Sequence, residues 1–264
     1  MNQDIVKKNL LKLHNCEEEF TVIFSGKKSN KVNGLYKTGK REIIIHNRNF
    51  ANDEAGNNLL FYTAIHELAH HIQFTEHKKK SCRTHTSLFY AIMNDLADIA
   101  EKKGLYKVVM DAATEKLVKE AHELSCQIAA IQKKLGKVLF KLEEKCVETG
   151  IRYEDVIDRK AQISLNTAKK ARKAFVIDIP ENLSADIQEA VLRENDEDVQ
   201  QEMINAGQKG KSVEQVKRVK TNSVVNEDET ESLLKEKKRL TRTIDTLQRR
   251  LDEVVEHLES KGEL

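Results

Sequence analysis

The segment His66-Glu67-Leu68-Ala69-His70 sets two imidazoles four residues apart, with a carboxylate beside the first. If this stretch is helical, that spacing puts both rings on one face, about one turn apart. Two imidazoles so placed can hold one zinc ion, and a third ligand from elsewhere leaves a fourth position open for water. Glu67 then stands where it can take a proton from that water. The pattern points to metal-dependent hydrolysis, with a protein or peptide as the expected substrate. The competing reading is a surface helix with two histidines and a solvated glutamate. The flanks favour the metal. Leu59-Leu60-Phe61-Tyr62-Thr63-Ala64-Ile65 precedes the motif, and Ile72 and Phe74 follow it. Such a helix is expected to be buried, and burying His66, Glu67, His70 and His71 without partners is costly.

A catalytic site of this kind needs a third ligand. In metzincins it is a histidine downstream, with a glycine between; Gln73 and Glu76 hold those positions here. In thermolysin-like enzymes a later glutamate serves, but the corresponding stretch holds Phe89, Tyr90 and Ala91, and no carboxylate comes before Asp95. His85 is the strongest remaining candidate. It opens what reads as the next helix, in Thr84-His85-Thr86-Ser87-Leu88-Phe89.

His66-Glu67-x-x-His70, a basic loop, and then His85-x-x-x-Phe89 on an amphipathic helix running to Gly104 resemble the SprT-like family of zinc peptidases. The resemblance covers about residues 20–106. It implies zinc held by His66, His70 and His85, Glu67 as general base, and a sheet edge on which an extended substrate adds a strand. The run His66-Glu67-Leu68-Ala69-His70-His71 is also similar to the metal helix of ImmA/IrrE-type peptidases, which act on repressors. That likeness implies a carboxylate as third ligand, from Asp95, Asp98 or Glu101.

The elements that must position these groups are legible in part. Residues 4–14 read as a short helix. Strands are expected at Phe20–Phe24, Val32–Tyr36 and Glu42–His46, the last around the β-favouring run Ile43-Ile44-Ile45. The metal helix is expected over about 56–75 and a second helix over 85–103, with Lys103-Gly104 as its stop. The expected class is α+β: a small antiparallel sheet packed on the metal helix and a second helix in a zincin-like module spanning 1–110. A mainly helical region with coiled-coil segments then follows.

Composition fits that outline. Of 264 residues, 33% are charged, 5% are aromatic and one is proline, the profile of a chain rich in long helices. The formal net charge of +2 implies no special partner. No run reaches membrane-spanning length, and the amino terminus lacks the apolar core of a signal peptide. Cys16, Cys82, Cys126 and Cys146 lack C-x-x-C spacing and are expected as free thiols in a cytoplasmic protein. Cys82, close to the proposed site, is a minor candidate ligand.

Beyond residue 110 the texture changes. Leu117, Ala121, Leu124, Ile128, Ile131, Leu135, Val138 and Leu142 form a heptad seam on a long amphipathic helix expected over 111–149. It reads equally as a coiled-coil face or as a face lying on a domain. Residues 150–220 read as short helices, among them a Ser164-capped helix carrying Lys169, Lys170, Arg172 and Lys173. Helix, turn and basic helix outline a possible helix-turn-helix that would bind DNA, against the alternative of a solvated face. Residues 205–230 look like a polar linker. Within 221–264, a second seam (Leu233, Leu240, Ile244, Leu247, Leu251, Val254, Leu258) suggests a coiled coil that would make a homodimer through 233–258. A second functional reading follows: a DNA-binding or oligomerising adaptor whose metal site is structural or vestigial. An intact Glu67 disfavours it, since a structural site needs no base.

Overall fold

The computed structural model describes residues 1–77 and 85–225. The chain divides into two compact units, Met1–Lys220 and Thr221–Leu264. Cys82, most of the expected basic loop, and the heptads over 233–258 with their dimer lie outside the described residues.

Helix α1 (Gln3–Leu13) starts at Asn2, whose side chain accepts the Ile5 N–H, and buries Val6, Leu10 and Leu13. Strands β1 (Thr21–Phe24), β2 (Gly34–Lys37) and β3 (Glu42–Ile45) form one sheet in the order β1-β3-β2. The run Ile43-Ile44-Ile45 lies on the central strand, with Ile43 and Ile45 buried. β2 and β3 pair as an antiparallel hairpin, Gly34 opposite Ile45 and Lys37 opposite Glu42. β1 runs parallel to β3, Thr21 opposite Glu42 and Phe24 opposite Ile45. The sheet is therefore mixed, not antiparallel as expected.

The reason lies in the polar segment between β1 and β2. It does not turn tightly but is pinned across the sheet end by side chains that follow β3. Asn49 Oδ1 accepts from Ser29 N, its Nδ2 donates to Ser29 O and Asn33 Oδ1, and Asn47 Oδ1 accepts from Gly26 N. This spanning path leaves room for β3 to insert between β1 and β2.

Helix α2 (Glu54–Thr75) is capped by Asp53, which accepts the Gly56 N–H at 2.7 Å. Phe61, Ala64, Ile65, Leu68 and Ala69 are fully buried, so the metal-motif helix is the centre of the core. Helix α3 (Ser87–Lys102) packs on it through Phe89, Ile92, Met93, Leu96 and Ala100. Gly104, in the left-handed region at φ 64°, stops α3 as expected; Gly104 N bonds to Glu101 O and Leu105 N to Ala100 O.

A long helix, α4 (Ala112–Thr149), ends at Gly150 with φ 68°. Its expected seam is only in part its packed face: Leu135 and Leu142 are half-buried against the core around Leu139 and Ala171. Leu117, Leu124, Ile128, Ile131 and Val138 stay exposed, while Ala129, Gly136, Leu139 and Cys146 are buried. The packed stripe lies one residue along from the apolar one, a rotation of about 100° on a helix. After α5 (Tyr153–Asp155) and a π turn (Val156–Lys160) come α6 (Leu165–Val176), α7 (Ala185–Leu192), α8 (Glu197–Gln208) and α9 (Val213–Val225). The expected linker over 205–230 is thus largely replaced, as far as 225, by the end of α8 and by α9. Ser164 caps α6 as expected, accepting from Thr167 N.

The basic residues of α6 serve the fold. Lys170 pairs with Glu189, Arg172 with Glu143, and Lys173 Nζ donates to the carbonyls of Leu192 and Glu194. Lys169 is exposed. Among the described residues no helix is long and apolar enough to cross a membrane, and Cys16, Cys126 and Cys146 carry free thiols.

Candidate metal centre

His66, Glu67 and His70 lie in the fourth and fifth turns of α2, and the start of α3 brings in His85. That residue stands just before Thr86, the N-cap of α3, and so outside the first helical turn where it was expected. Thr86 Oγ1 accepts the Phe89 N–H and also the Gln73 side-chain N–H from α2, the latter at 2.8 Å. Gln73 thereby fixes the start of α3, and with it His85, against the metal-motif helix.

His85 Nε2 lies 3.2 Å from His66 Nε2 and 3.2 Å from His70 Nε2. Hydrogen bonding accounts poorly for this. A ring nitrogen carries either a proton or a lone pair, so it cannot make a full bond of the same sense to both neighbours. Ligand nitrogens at about 2.0–2.1 Å from a tetrahedral zinc stand about 3.3–3.4 Å apart. The observed spacing is that of a ligand set, and the three residues form one of two groups, among the described residues, able to hold a metal ion. The fully buried Phe89 ring floors the cluster, its centroid 4.3 Å from that of His70, 4.6 Å from His85 and 4.9 Å from His66.

Burial, reinforced by the neighbouring imidazoles, pushes His66 and His70 down to about 4. Both rings are therefore neutral at pH 7, with lone pairs to offer. His70 Nδ1 and Gln73 Oε1 are both buried, and neither makes a hydrogen bond of good geometry. Gln73 is nonetheless near enough to favour the protonated form of His70. The two are a donor and an acceptor when His70 presents its Nε2 lone pair to an ion.

Glu67 is only 5% exposed. Burial pushes its carboxyl up to about 7, and a hydrogen bond from the Tyr36 backbone N–H works the other way. Tyr36 belongs to β2. Since His46 N bonds to Asn33 O across the hairpin, Gly34 and Tyr36 turn their backbone groups away from β3, toward α2. Gly34 is needed for that approach. A Cβ there would stand 2.9 Å from Thr63 Cγ2 and 3.1 Å from Glu67 Oε1.

His71 faces away from this cluster. Its Nε2 lies 3.0 Å from the Glu18 carbonyl and its Nδ1 2.9 Å from Tyr36 Oη, so it donates to the first and accepts from the second. It ties α2 to the sheet.

The rival carboxylates are engaged elsewhere. Asp98 accepts from Lys211 at 2.6 Å and from Gln215 at 3.0 Å; Asp95 accepts from Gln215 at 2.7 Å and from Arg218 at 3.1 Å. Glu101 accepts the Val108 N–H. Sequence reasoning missed Gln73, Gly34 and the Tyr36 N–H. The only available signal for Gly34 was a glycine inside a strand, which marks close backbone approach.

Comparison of the chain with protein-family models, curated proteins and solved structures gives no match.

Proposed function

We propose that the chain is a zinc-dependent endopeptidase of the SprT-like kind, with a zincin-like module at its amino-terminal end. The observation that carries this reading is the convergence of three imidazole Nε2 atoms, with His85 at 3.2 Å from each of the others, in the turn of helix that also bears a buried glutamate. His66, His70 and His85 would hold the ion. Zinc, when bound, supplies the Lewis acidity that polarises a peptide carbonyl and makes water more acidic.

The remaining work falls to the protein. Glu67, with its carboxyl near 7, is matched to accept the proton of the attacking water and return it to the leaving amine. The Tyr36 N–H holds the carboxylate in place. β2 is an edge strand beside Glu67, and an extended substrate would lie along it, meeting edge groups other than the Tyr36 N–H, which Glu67 takes. Phe89 keeps water from the far side of the ligands.

The repressor-peptidase alternative loses its support with Asp95, Asp98 and Glu101 engaged elsewhere. A DNA-associated substrate, or an adaptor role, would have to draw on the basic helix α6, most of whose cations bond within the fold.

Replacing Glu67 with Gln tests the reading. Zinc should still bind, while cleavage of an unfolded protein substrate falls by at least about 100-fold, the scale of a lost general base. His85→Ala should lose the zinc held by the histidine cluster, and cleavage with it. Undiminished cleavage in Glu67→Gln, or undiminished zinc in His85→Ala, would refute the assignment.

A further inference from the structure

The second group able to hold a metal ion joins His14, Cys16 and Glu76. It lies at the corner where α1 hands the chain to β1, against the carboxyl-terminal end of α2. His14 caps the end of α1 in extended backbone, φ −150° and ψ 138°. On extended backbone, residues two apart face the same side, so His14 and Cys16 point together. Glu76, the C-cap of α2, meets them from across the corner. His14 Nε2 lies 2.8 and 3.0 Å from the two Glu76 oxygens, and the nitrogen, sulfur and oxygen atoms all lie within 4.8 Å of one another.

We infer that His14, Cys16 and Glu76 form a second metal site, for a thiophilic divalent cation of the zinc class. The donor set is one imidazole nitrogen, one sulfur and one carboxylate oxygen, the three ligand types zinc accepts. Tetrahedral ligands around zinc stand about 3.3–3.7 Å apart, so a small closure of side chains suffices. His14 and Glu76 side chains are 35% and 15% exposed, which gives an ion a way in. Without a cation the thiol gains nothing from its place: it is half-buried beside a carboxylate, in contact with the apolar core. A cation would reverse that, holding the sulfur as thiolate.

The location gives the site a structural purpose. Glu76 is on the helix that carries His66 and His70. Cys16 is close in sequence to Glu18, whose carbonyl accepts from His71 on that same helix. A metal here would staple the α1–β1 corner to the end of the metal-motif helix, with one coordination position left for water. The competing account is a plain His14–Glu76 ion pair beside an uninvolved thiol.

The experiment is metal titration of the full-length, reduced, metal-stripped protein, by zinc stoichiometry and by cobalt(II) absorption. The histidine cluster of the proposed function contains no sulfur, so a near-ultraviolet thiolate-to-cobalt band reports the second site alone. The wild type should bind about two equivalents per chain, the sum of two sites of this kind, and show the band. Cys16→Ser, and His14→Ala at a half-exposed position that leaves the core untouched, should each lose one equivalent and the band. Cys82→Ser should keep both.

A single equivalent with no band in the wild type overturns the inference, as does a band that survives Cys16→Ser or vanishes only in Cys82→Ser. A band retained in His85→Ala supports it whatever becomes of cleavage, so the two readings fail separately.

Discussion

At the scale of single residues, the candidate site depends on groups that never touch the ion. Gln73 is the clearest. Its amide nitrogen donates to the Thr86 cap, and its oxygen is a buried acceptor beside the buried, unbonded Nδ1 of His70. Histidine ligands typically donate their second nitrogen to such an acceptor, which fixes the ring and strengthens the ligand; losing it costs about 10–100-fold in metal affinity. Gln73→Leu keeps the volume and removes both the bond to Thr86 and the acceptor beside His70 Nδ1. Zinc affinity measured by chelator competition should fall by about that factor, and an unchanged affinity would show that Gln73 merely fills space. His66, Glu67 and His70 were legible because helical spacing alone puts them together. His85 needed the further clue of an aromatic four residues on, and the structure explains that clue, since Phe89 packs against all three rings. Gln73 was not legible: a glutamine has no chemistry that marks it, and its role depends on a cap thirteen residues away in sequence. His14, Cys16 and Glu76 were hidden for the same reason, their partnership crossing sixty-two positions of chain between His14 and Glu76.

Among the elements, α4 shows how a correct helix assignment can go with a wrong face. Most of the leucines and isoleucines that make its heptad pattern are exposed, and the contact with α6 is centred on Leu139 and on small residues, with Leu135 and Leu142 at its margin. Gly136 is the tightest point: a Cβ there would stand 2.0 Å from the Ala171 carbonyl oxygen and 3.0 Å from Phe175 Cβ. Hydrophobic periodicity weights large side chains, so it passes over a stripe of Ala and Gly that allows two backbones to approach. Gly136→Ala should therefore destabilise the helical region by about 1–3 kcal/mol, the usual cost of overpacking, despite alanine's better helix propensity. Thermal unfolding checks this. An unchanged or raised melting temperature would mean that α6 is free to move aside. The sheet carries a related lesson. The strand propensities of Ile43-Ile44-Ile45 placed β3, but strand order depended on where the connecting segment is pinned, and that was decided by Asn47 and Asn49 lying beyond the sheet.

For the molecule as a whole, the question is how the helical region is held to the amino-terminal α+β part, and the answer is largely polar. α9 and the residues before it reach α3 through Lys211, Ser212, Glu214, Gln215 and Arg218. Asn94 donates to Ser212 at 2.8 Å, and Ser87, at the start of α3 and close to His85, donates to Glu214. Lys211 and Gln215 meet Asp98, while Gln215 and Arg218 meet Asp95. A seam of this kind should respond to pH. Partial burial works against the charge on Asp98, but hydrogen bonds from Lys211 and Gln215, with the charges of Lys211 and Lys102, outweigh it and hold the carboxyl below its ordinary 3.8. A group whose folded value is depressed contributes stability above its unfolded value and loses it as pH falls through the folded one. The Asp98 contribution is thus full at neutral pH and fades below about pH 4. Because these side chains are more than a third exposed, solvent screening limits the pair to about 0.5–1 kcal/mol. Lys211→Met should then lower the melting temperature by about 1–4 °C at pH 7 and by progressively less toward pH 3, where the two proteins should converge. Amide protection along Val213–Val219, taken relative to the intrinsic exchange rate at each pH, should fall in the variant at pH 7 and in the wild type on acidification. A penalty that persists undiminished at pH 3 would mean that Lys211 acts through the packing of its aliphatic stem and not through its charge.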